Sequence, residues 1–347
     1  MIPIKFNLNF KKSPLDKRDY VLKSSFSNST TNSDSMTDLS FYCTSIKNQR
    51  DVGSCTAHAC VALCEFMFNK FFQKLNDDMF SERFVYYTTR VDIGNGNPND
   101  DSGAYLRDTM KALAKYGNAL ETDFPYVAND MVNMTGTVDI AEKPSEDIYN
   151  KASKYQISRY INISTSSPSD CLNDLRNLLK QGYAFVGGFQ CFENIEESKN
   201  GLIAEPKGEI VGGHAVLFVG YDDFKKVFKF KNSWTSEWGD KGYGYLPYSY
   251  ILNGNAFDFW TIFEQENNDV VFGIIKPNNR DSEIKRRMNE ILKLISTSDK
   301  DSMQKLIESD ESNSNLYSRD ISMLKEFSNR LFRIQEQFQT VFERIKS

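Results

Sequence analysis

The stretch NQRDVGSCTAHA, residues 48–59, holds a glutamine, a short loop with one glycine, and a cysteine at the start of a run with helical character. A thiol attacks a carbonyl carbon as its thiolate, and a free cysteine with a pKa near ~8.5 is mostly protonated at neutral pH. A helix N-terminus and a nearby imidazolium both lower that pKa. Cys55 falls in the first turn of the expected helix, one residue past a candidate N-cap, Gly53 or Ser54. The dipole contributes only ~0.3–1 kcal/mol, so a histidine partner is required. The chain has two. His58 lies three residues further along the same helix, one turn deeper, where the apolar neighbours point. It reads as a packed side chain or a wall residue near the site. His214 lies in VGGHAVLFVGYD, a strand entered through two glycines that let the backbone run close to another group. A base carried by a distant segment can face a helix start directly, so His214 is the expected base.

A reactive imidazole needs a third group to fix its orientation. KNSWTSEWGDKGYG offers Asn232, whose amide oxygen can accept the ring N–H, with Trp234 two residues on along the same strand face. An indole packed over that hydrogen bond would exclude water and strengthen it. Acyl transfer also needs donors aimed where negative charge develops on the carbonyl oxygen. The side-chain amide of Gln49, six residues before Cys55, and the backbone N–H of Cys55 are the candidates. The four residues occur in the order Gln, Cys, His, Asn.

These side chains must be carried by elements from both halves of the chain. SCTAHACVALCEFMFNKFF, from Ser54, has apolar residues at helical spacing. SGAYLRDTMKALAKYG, closed by Gly117, and LNDLRNLLKQG (172–182), closed by Gly182, read as further helices. The second half changes to YAFVGGFQ, GGHAVLFVGYDD, KVFKFKNSW and GYGYLPY. These are short, rich in aromatic and β-branched residues, and broken by Gly or Asp, so they read as strands. Helices first and strands later predict an α+β protein of two packed lobes.

Gln49–Cys55, GGHAVLFVGYD around His214 and KNSWTSEWGDKGYG around Asn232 together resemble the papain-like cysteine peptidases, over roughly residues 38–275. SFYCTSIKNQ resembles the start of the mature peptidase, and SGAYLRDTMKALAKYGNALETDFPY the segment running from the substrate-binding glycine to a Tyr-Pro-Tyr-type turn. LPYSYIL and AFDFWTI resemble the closing strands of bacterial and viral-type members. The resemblance implies a helical left lobe, a β-barrel-like right lobe and a cleft between them. It implies Cys55 as nucleophile, His214 as base and then acid, Asn232 as its orienter and Gln49 as oxyanion donor. Gly103 matches the glycine whose backbone pairs with an extended substrate. Ala215 matches a residue lining the pocket for the second side chain before the cut, and Trp234 is taken with them as part of the substrate site. Val52 stands where many secreted members carry a cysteine, Thr56 where a tryptophan is common, and His58 where the residue is usually apolar or Asn. No counterpart of the family's long helical propeptide is expected. Only about 37 residues precede the domain, including LDKRDY, which resembles a short bacterial-type arm.

The expected organisation is an N-terminal arm and linker over 1–37, the peptidase domain over 38–275, and a helical extension over 276–347. In the extension Leu324, Phe327, Leu331, Ile334, Phe338, Val341 and Ile345 alternate steps of three and four, an a/d seam. Ile284, Met288, Ile291 and Ile295 repeat it in shorter form, so a helical hairpin is expected. Its seam either closes on itself or docks on a protein partner or second copy. A net charge of −5 gives no basic footprint for nucleic acid. Without an apolar run of roughly 18 residues, no membrane span is expected. The six cysteines are irregularly spaced and no secretory signal is evident. Cys60 and Cys64 share a helix face, but no further close cysteine pair or histidines complete a metal set, so no metal and no cofactor is expected. The expected setting is intracellular, with packaging in a virus particle as one possibility. The expected reaction is endopeptidase cleavage of polypeptides. The alternatives are exopeptidase or isopeptidase action, or an interaction protein on a restrained peptidase fold. A further expectation is that the arm (1–26) or the tail (277–347) blocks the cleft.

Overall fold

The computed structural model describes residues 8–21, 35–72, 80–127, 138–163, 167–262, 264–266 and 269–271. The expected C-terminal hairpin lies outside the described residues.

Helix α1 (Cys55–Phe72) is apolar on nearly every face and is buried through Met67. A helix hydrophobic all round belongs in a protein interior, and α1 is the spine of the helical lobe. Around it stand α2 (Glu82–Tyr87), capped by the Ser81 hydroxyl, a π-helical turn over Thr88–Ile93, and α3 (Leu106–Tyr116). α3 starts later than the sequence suggests, because residues 102–105 run as an open segment along the cleft. It ends at Gly117 with φ +81°, where a Cβ would lie 2.0 Å from the Ala152 carbonyl oxygen. The next helix, α4 (Glu146–Ala152), is capped by Ser145. Helix α5 (Pro168–Lys180) begins four residues earlier than expected, because Ser167 caps it and Pro168 suits the first turn.

The second lobe is built on one antiparallel sheet. Its strands are β1 (Met36–Asp38), β2 (Tyr160–Asn162), β3 (Phe185–Phe192), β4 (Ile210–Asp222), β5 (Val227–Lys231), β6 (Tyr243–Pro247) and β7 (Ala256–Ile262). Their order is β2-β7-β3-β4-β5-β6, with β1 added to β4. A short helix, α6 (Tyr248–Leu252), joins β6 to β7, and β8 (Glu264–Glu266) pairs with β9 (Asp269–Val271) apart from this sheet. Period-two alternation on β4 divides the core. Ala215, Leu217 and Val219 pack with the α1 cluster, whereas Val216 and Phe218 join Phe185, Phe189, Phe228, Phe230 and the leucines of α5 on the other face. The two-lobe α+β architecture expected from the sequence is the one observed. Among the described residues no helix is long and apolar enough to cross a membrane, no metal-binding cluster occurs, and all six cysteines are free thiols.

A buried polar cluster ties the lobes together behind the site. Lys47 Nζ pairs with Glu65 of α1 at 2.9 Å and Glu82 of α2 at 2.7 Å. Lys231 at the end of β5 donates to Thr44, whose hydroxyl donates to Glu65. Burial raises the Glu65 carboxyl, but Lys47 and Lys231 together hold it below its ordinary value. The cluster thereby fixes the segment entering Gln49 against the strand that ends at Lys231, one residue before Asn232.

Residues 8–21 pack on this body. Ser13 donates its backbone N–H and its hydroxyl to the buried Asp258 carboxylate at 3.0 and 2.7 Å. Asp19 accepts three hydrogen bonds from the Arg107 guanidinium. Val21 bridges to Asn162.

Candidate active site

His214 lies in the middle of the sheet, paired with Phe189 across the ladder, and is fully buried. Its Nε2 lies 2.7 Å from Asn232 Oδ1. The same oxygen accepts the Ser233 backbone N–H at 2.9 Å, which fixes it as an acceptor. The ring proton therefore sits on Nε2, leaving the Nδ1 lone pair free to take another. Nδ1 is buried and has no hydrogen-bond partner. Trp234 stacks on the imidazole with centroids 4.3 Å apart and planes 24° apart, and Trp238 braces Trp234 edge-on. The indole expected to cover the histidine–asparagine hydrogen bond is in that position.

Cys55 opens α1 and is completely buried. Its sulfur is hydrogen-bonded by the backbone of Ala215, the residue after His214, as well as by Thr56 and its own amide. The nucleophile candidate and the base candidate thus meet where α1 abuts β4. No hydrogen bond joins the sulfur to the ring itself. Burial pushes the Cys55 thiol up to about 11, and burial pulls His214 down to about 4 against the opposing Asn232 hydrogen bond. Desolvation penalises charge on both groups.

Gln49 is fully buried beside them. Ser233 Oγ donates to its Oε1 at 2.6 Å, and one N–H of its amide goes to the Val52 carbonyl at 3.0 Å. These contacts set the plane of the amide and leave its second N–H for another acceptor. Tyr126 completes the frame, with its hydroxyl 3.0 Å from the Gln49 carbonyl and 2.7 Å from Ser54 Oγ. His58 lies behind the site, as its helical position suggests. Its Nδ1 faces the Ser54 carbonyl and hydroxyl, and burial lowers it to about 3.

The opposite wall is the open segment before α3. The Asp101 carboxylate accepts the Gly53 N–H at 2.9 and 3.1 Å and the Tyr86 hydroxyl proton. The N–H of Gly103, at φ +70°, goes to Tyr86 Oη. Between this wall and β4 runs the N-terminal arm. Phe10 N–H donates to the Gly213 carbonyl at 3.2 Å, and Gly213 N–H to the Leu8 carbonyl at 3.0 Å. Asn9 Nδ2 donates to the Asp101 carbonyl, and a Cβ on Gly103 would lie 2.4 Å from the Asn9 carbonyl oxygen. The arm thus lies in extended form against Gly103 and Gly213, on both sides of the helix start that carries Cys55.

The structure brings together Gln49, Cys55, His214, Asn232, Trp234 and Ala215, with Gly103 facing them across the arm. Sequence reasoning missed Ser233, Tyr126, Asp101, Tyr86, Asn9 and Phe10. Ser233 stood beside a candidate and could have been asked for a partner to Gln49. The others carry no local signal, because they act through contacts between residues tens or hundreds apart.

Residues 31–251 match the model of the papain family of cysteine proteases. An uncharacterized peptidase C1-like protein of Acanthamoeba polyphaga mimivirus is 32% identical over 241 residues, 67% of this chain and 73% of its own. A viral cathepsin of Autographa californica nuclear polyhedrosis virus is 29% identical over 58% of this chain and 54% of its own length. Among solved structures, xylellain, a cysteine protease from Xylella fastidiosa, superposes with a TM-score of 0.61 at 30% identity, covering 74% of this chain and 95% of that one. With this fold, these side chains at one helix start and this breadth of match, the chain belongs to the papain family of cysteine proteases.

Proposed function

We propose that the protein is a thiol endopeptidase, with Cys55 as nucleophile, His214 as base and acid, Asn232 as the positioning partner of that histidine, and Gln49 as oxyanion donor. The observation that carries this reading is the His214–Asn232 hydrogen bond beneath Trp234. It leaves the unprotonated Nδ1 one residue from the amide that holds the Cys55 sulfur. With a peptide in the cleft, Nδ1 takes the thiol proton as the sulfur attacks the carbonyl carbon. The carbonyl oxygen takes up the negative charge, held by the remaining Gln49 N–H and the Cys55 backbone N–H. The C–N bond breaks as the imidazolium gives its proton to the leaving amine, and a thioester remains on Cys55. Water, deprotonated by Nδ1, attacks the thioester, and the thiol leaves with the proton returned. Asn232 keeps the ring in the tautomer each step needs. Wild type and Cys55→Ala, each incubated with a peptide library, test the reading. Interior cleavage lost in the variant supports it. Removal of terminal residues only would make the enzyme an exopeptidase, and no Cys55-dependent cleavage would reject peptidase action.

A second reading concerns restraint. The arm runs along Gly103 and Gly213, beside the backbone that the family resemblance assigns to an extended substrate. We infer that this is a closed form, and that the arm leaves the groove before turnover. If the arm restrains the enzyme, loosening it raises both cleavage and Cys55 alkylation by iodoacetamide. Equal rates in loosened and intact proteins would reject restraint. The expected docking role of the C-terminal helices remains a separate proposal, tested by comparing the mass in solution of the full chain with that of a variant carrying polar substitutions at Leu331 and Ile334.

A further inference from the structure

Arg90 lies in the π-helical turn after α2, a geometry that recurs at functional sites. It is 4% exposed, yet among the described residues its guanidinium donates to backbone carbonyls and not to a carboxylate. Nη1 lies 2.5 Å from the Asp100 carbonyl oxygen, with those of Pro98 and Asn97 at 3.3 and 3.5 Å. Nη2 donates to the Ile140 carbonyl at 2.7 Å. The flat face of the cation covers the Tyr86 ring, 4.4 Å from its centroid. Burying a cation without a counter-ion is costly, and an apolar side chain would avoid that cost, so packing alone does not account for Arg90. The loop that follows also turns tightly about this residue. The Arg90 carbonyl accepts the Gly96 N–H at 2.9 Å, and a Cβ at Gly94 or Gly96 would lie 2.7 or 2.9 Å from the same oxygen. What this cage holds is the wall of the cleft. Asp100 precedes Asp101, whose carboxylate accepts the N–H of Gly53, two residues before Cys55. Tyr86, beneath the guanidinium, gives its hydroxyl proton to Asp101 and accepts the Gly103 N–H at 3.2 Å.

We propose that Arg90 is the positioning residue of the substrate wall: by gathering the carbonyls of residues 97–100 and bracing Tyr86, it sets where Gly103 stands relative to the helix start that carries Cys55. The proposal rests on the peptidase reading for the word substrate, and on the contacts alone for the frame. Only a planar fork with several donors can hold three carbonyls of one loop and a fourth from another segment at once, which an ammonium cannot reproduce. The hydrogen bonds of Arg90 reach none of Gln49, Cys55, His214 or Asn232. Its loss therefore displaces the wall that binds peptide and leaves the reacting groups in place, so binding suffers and bond breaking does not.

The test uses the full-length chain as Phe10→Ala, which removes the buried arm ring lying over Gly188, with and without Arg90→Met or Arg90→Lys. Amide hydrogen exchange is read by mass on peptides covering residues 94–105 and on peptides from α1 and β4. Loss of the carbonyl cage predicts exchange about 10- to 100-fold faster over 94–105 in Arg90→Met, with α1 and β4 within about threefold of the parent. Arg90→Lys should fall between the two. Cleavage of fluorescein-labelled casein by the same proteins should show KM raised about 10- to 30-fold in Arg90→Met and kcat within about threefold. Unchanged exchange over 94–105, faster exchange throughout the chain, an unchanged KM, or a fall in kcat as large as the rise in KM overturns the proposal. Should the methionine variant not fold, Arg90→Lys is judged by the same outcomes at about threefold or more. Faster exchange confined to 94–105, with no casein cleavage by any of the proteins, would instead reject the peptidase reading while upholding the frame.

Discussion

Asp258→Asn is a change remote from the reacting groups that should open the cleft. Asp258 Oδ2 accepts two hydrogen bonds from Ser13 of the arm, and Oδ1 accepts the Trp260 indole N–H at 2.7 Å. The residue is buried and has φ +62°, a left-handed conformation that asparagine also tolerates. An amide there can keep the Trp260 bond through its oxygen, but its NH2 then faces two Ser13 donors. Hydrogen bonds to a charged group contribute ~1.5–3 kcal/mol each, and the two share one oxygen, so about 3 kcal/mol is taken for the pair. That is a shift of roughly 100-fold in the ratio of free to docked arm. The assay is the alkylation rate of Cys55 by iodoacetamide at neutral pH, with thermal unfolding as the check on overall integrity. Ser13→Ala should open the cleft to a lesser degree, and the double variant should be no more open than Asp258→Asn alone, because the two changes remove one contact. The acid response follows from the same contact. Burial raises the Asp258 carboxyl above its ordinary value, and the Ser13 hydrogen bonds pull it back down. The docked arm thus favours the ionised form. Docking through this contact is complete above the titration range of Asp258 and is lost as pH falls through it, a dependence that Asp258→Asn should abolish. An alkylation rate for Asp258→Asn within about twofold of wild type, or full additivity with Ser13→Ala, would refute the clamp.

Three other expectations follow from particular contacts. In the Phe10→Ala background, Gln49→Ala should lower kcat by about 10²–10³, whereas Ser233→Ala, which removes the 2.6 Å bond that orients Gln49, should cost about tenfold; equal KM values would separate loss of oxyanion stabilisation from loss of binding. His58 is held to about 3 in the fold against ~6.5 in an unfolded chain, so the stability it supports is present above pH ~6.5 and falls away toward pH ~3. At pH 5 the loss is ~2 kcal/mol, and His58→Phe should show that much less destabilisation between pH 7 and 5 in urea titrations. Gly117→Ala should lower stability by at least about 2 kcal/mol, because φ is +81° and the added Cβ meets the Ala152 carbonyl oxygen; an unchanged urea midpoint would contradict the geometry.

Much of the site was legible in the chain because its chemistry leaves local marks. A cysteine at a helix start, a histidine on a strand entered through glycines, and an asparagine followed by tryptophan are each patterns of residue type and spacing. The helical and sheet lobes were readable for a similar reason, since a long apolar run is written along α1 and period-two burial along β4. The termini of α3 and α5 were misplaced because competing local forces decide them. Residues 102–105 are held open by the contact of Gly103 with Tyr86, and Ser167 begins α5 early.

What the sequence by itself determined was which atoms could react and which segments could carry them. Tertiary structure decided their present state. The upward push on the Cys55 thiol and the downward pull on His214 come from desolvation, which depends on what covers them and not on their neighbours in sequence. The pairing of Ser13 with Asp258, 245 residues apart, holds the arm against the sheet lobe, and no local pattern announces it. Gly188 shows the division most plainly. In the chain it is one small residue in a strand, and only the ring of Phe10 lying where its side chain would be gives the gap a meaning.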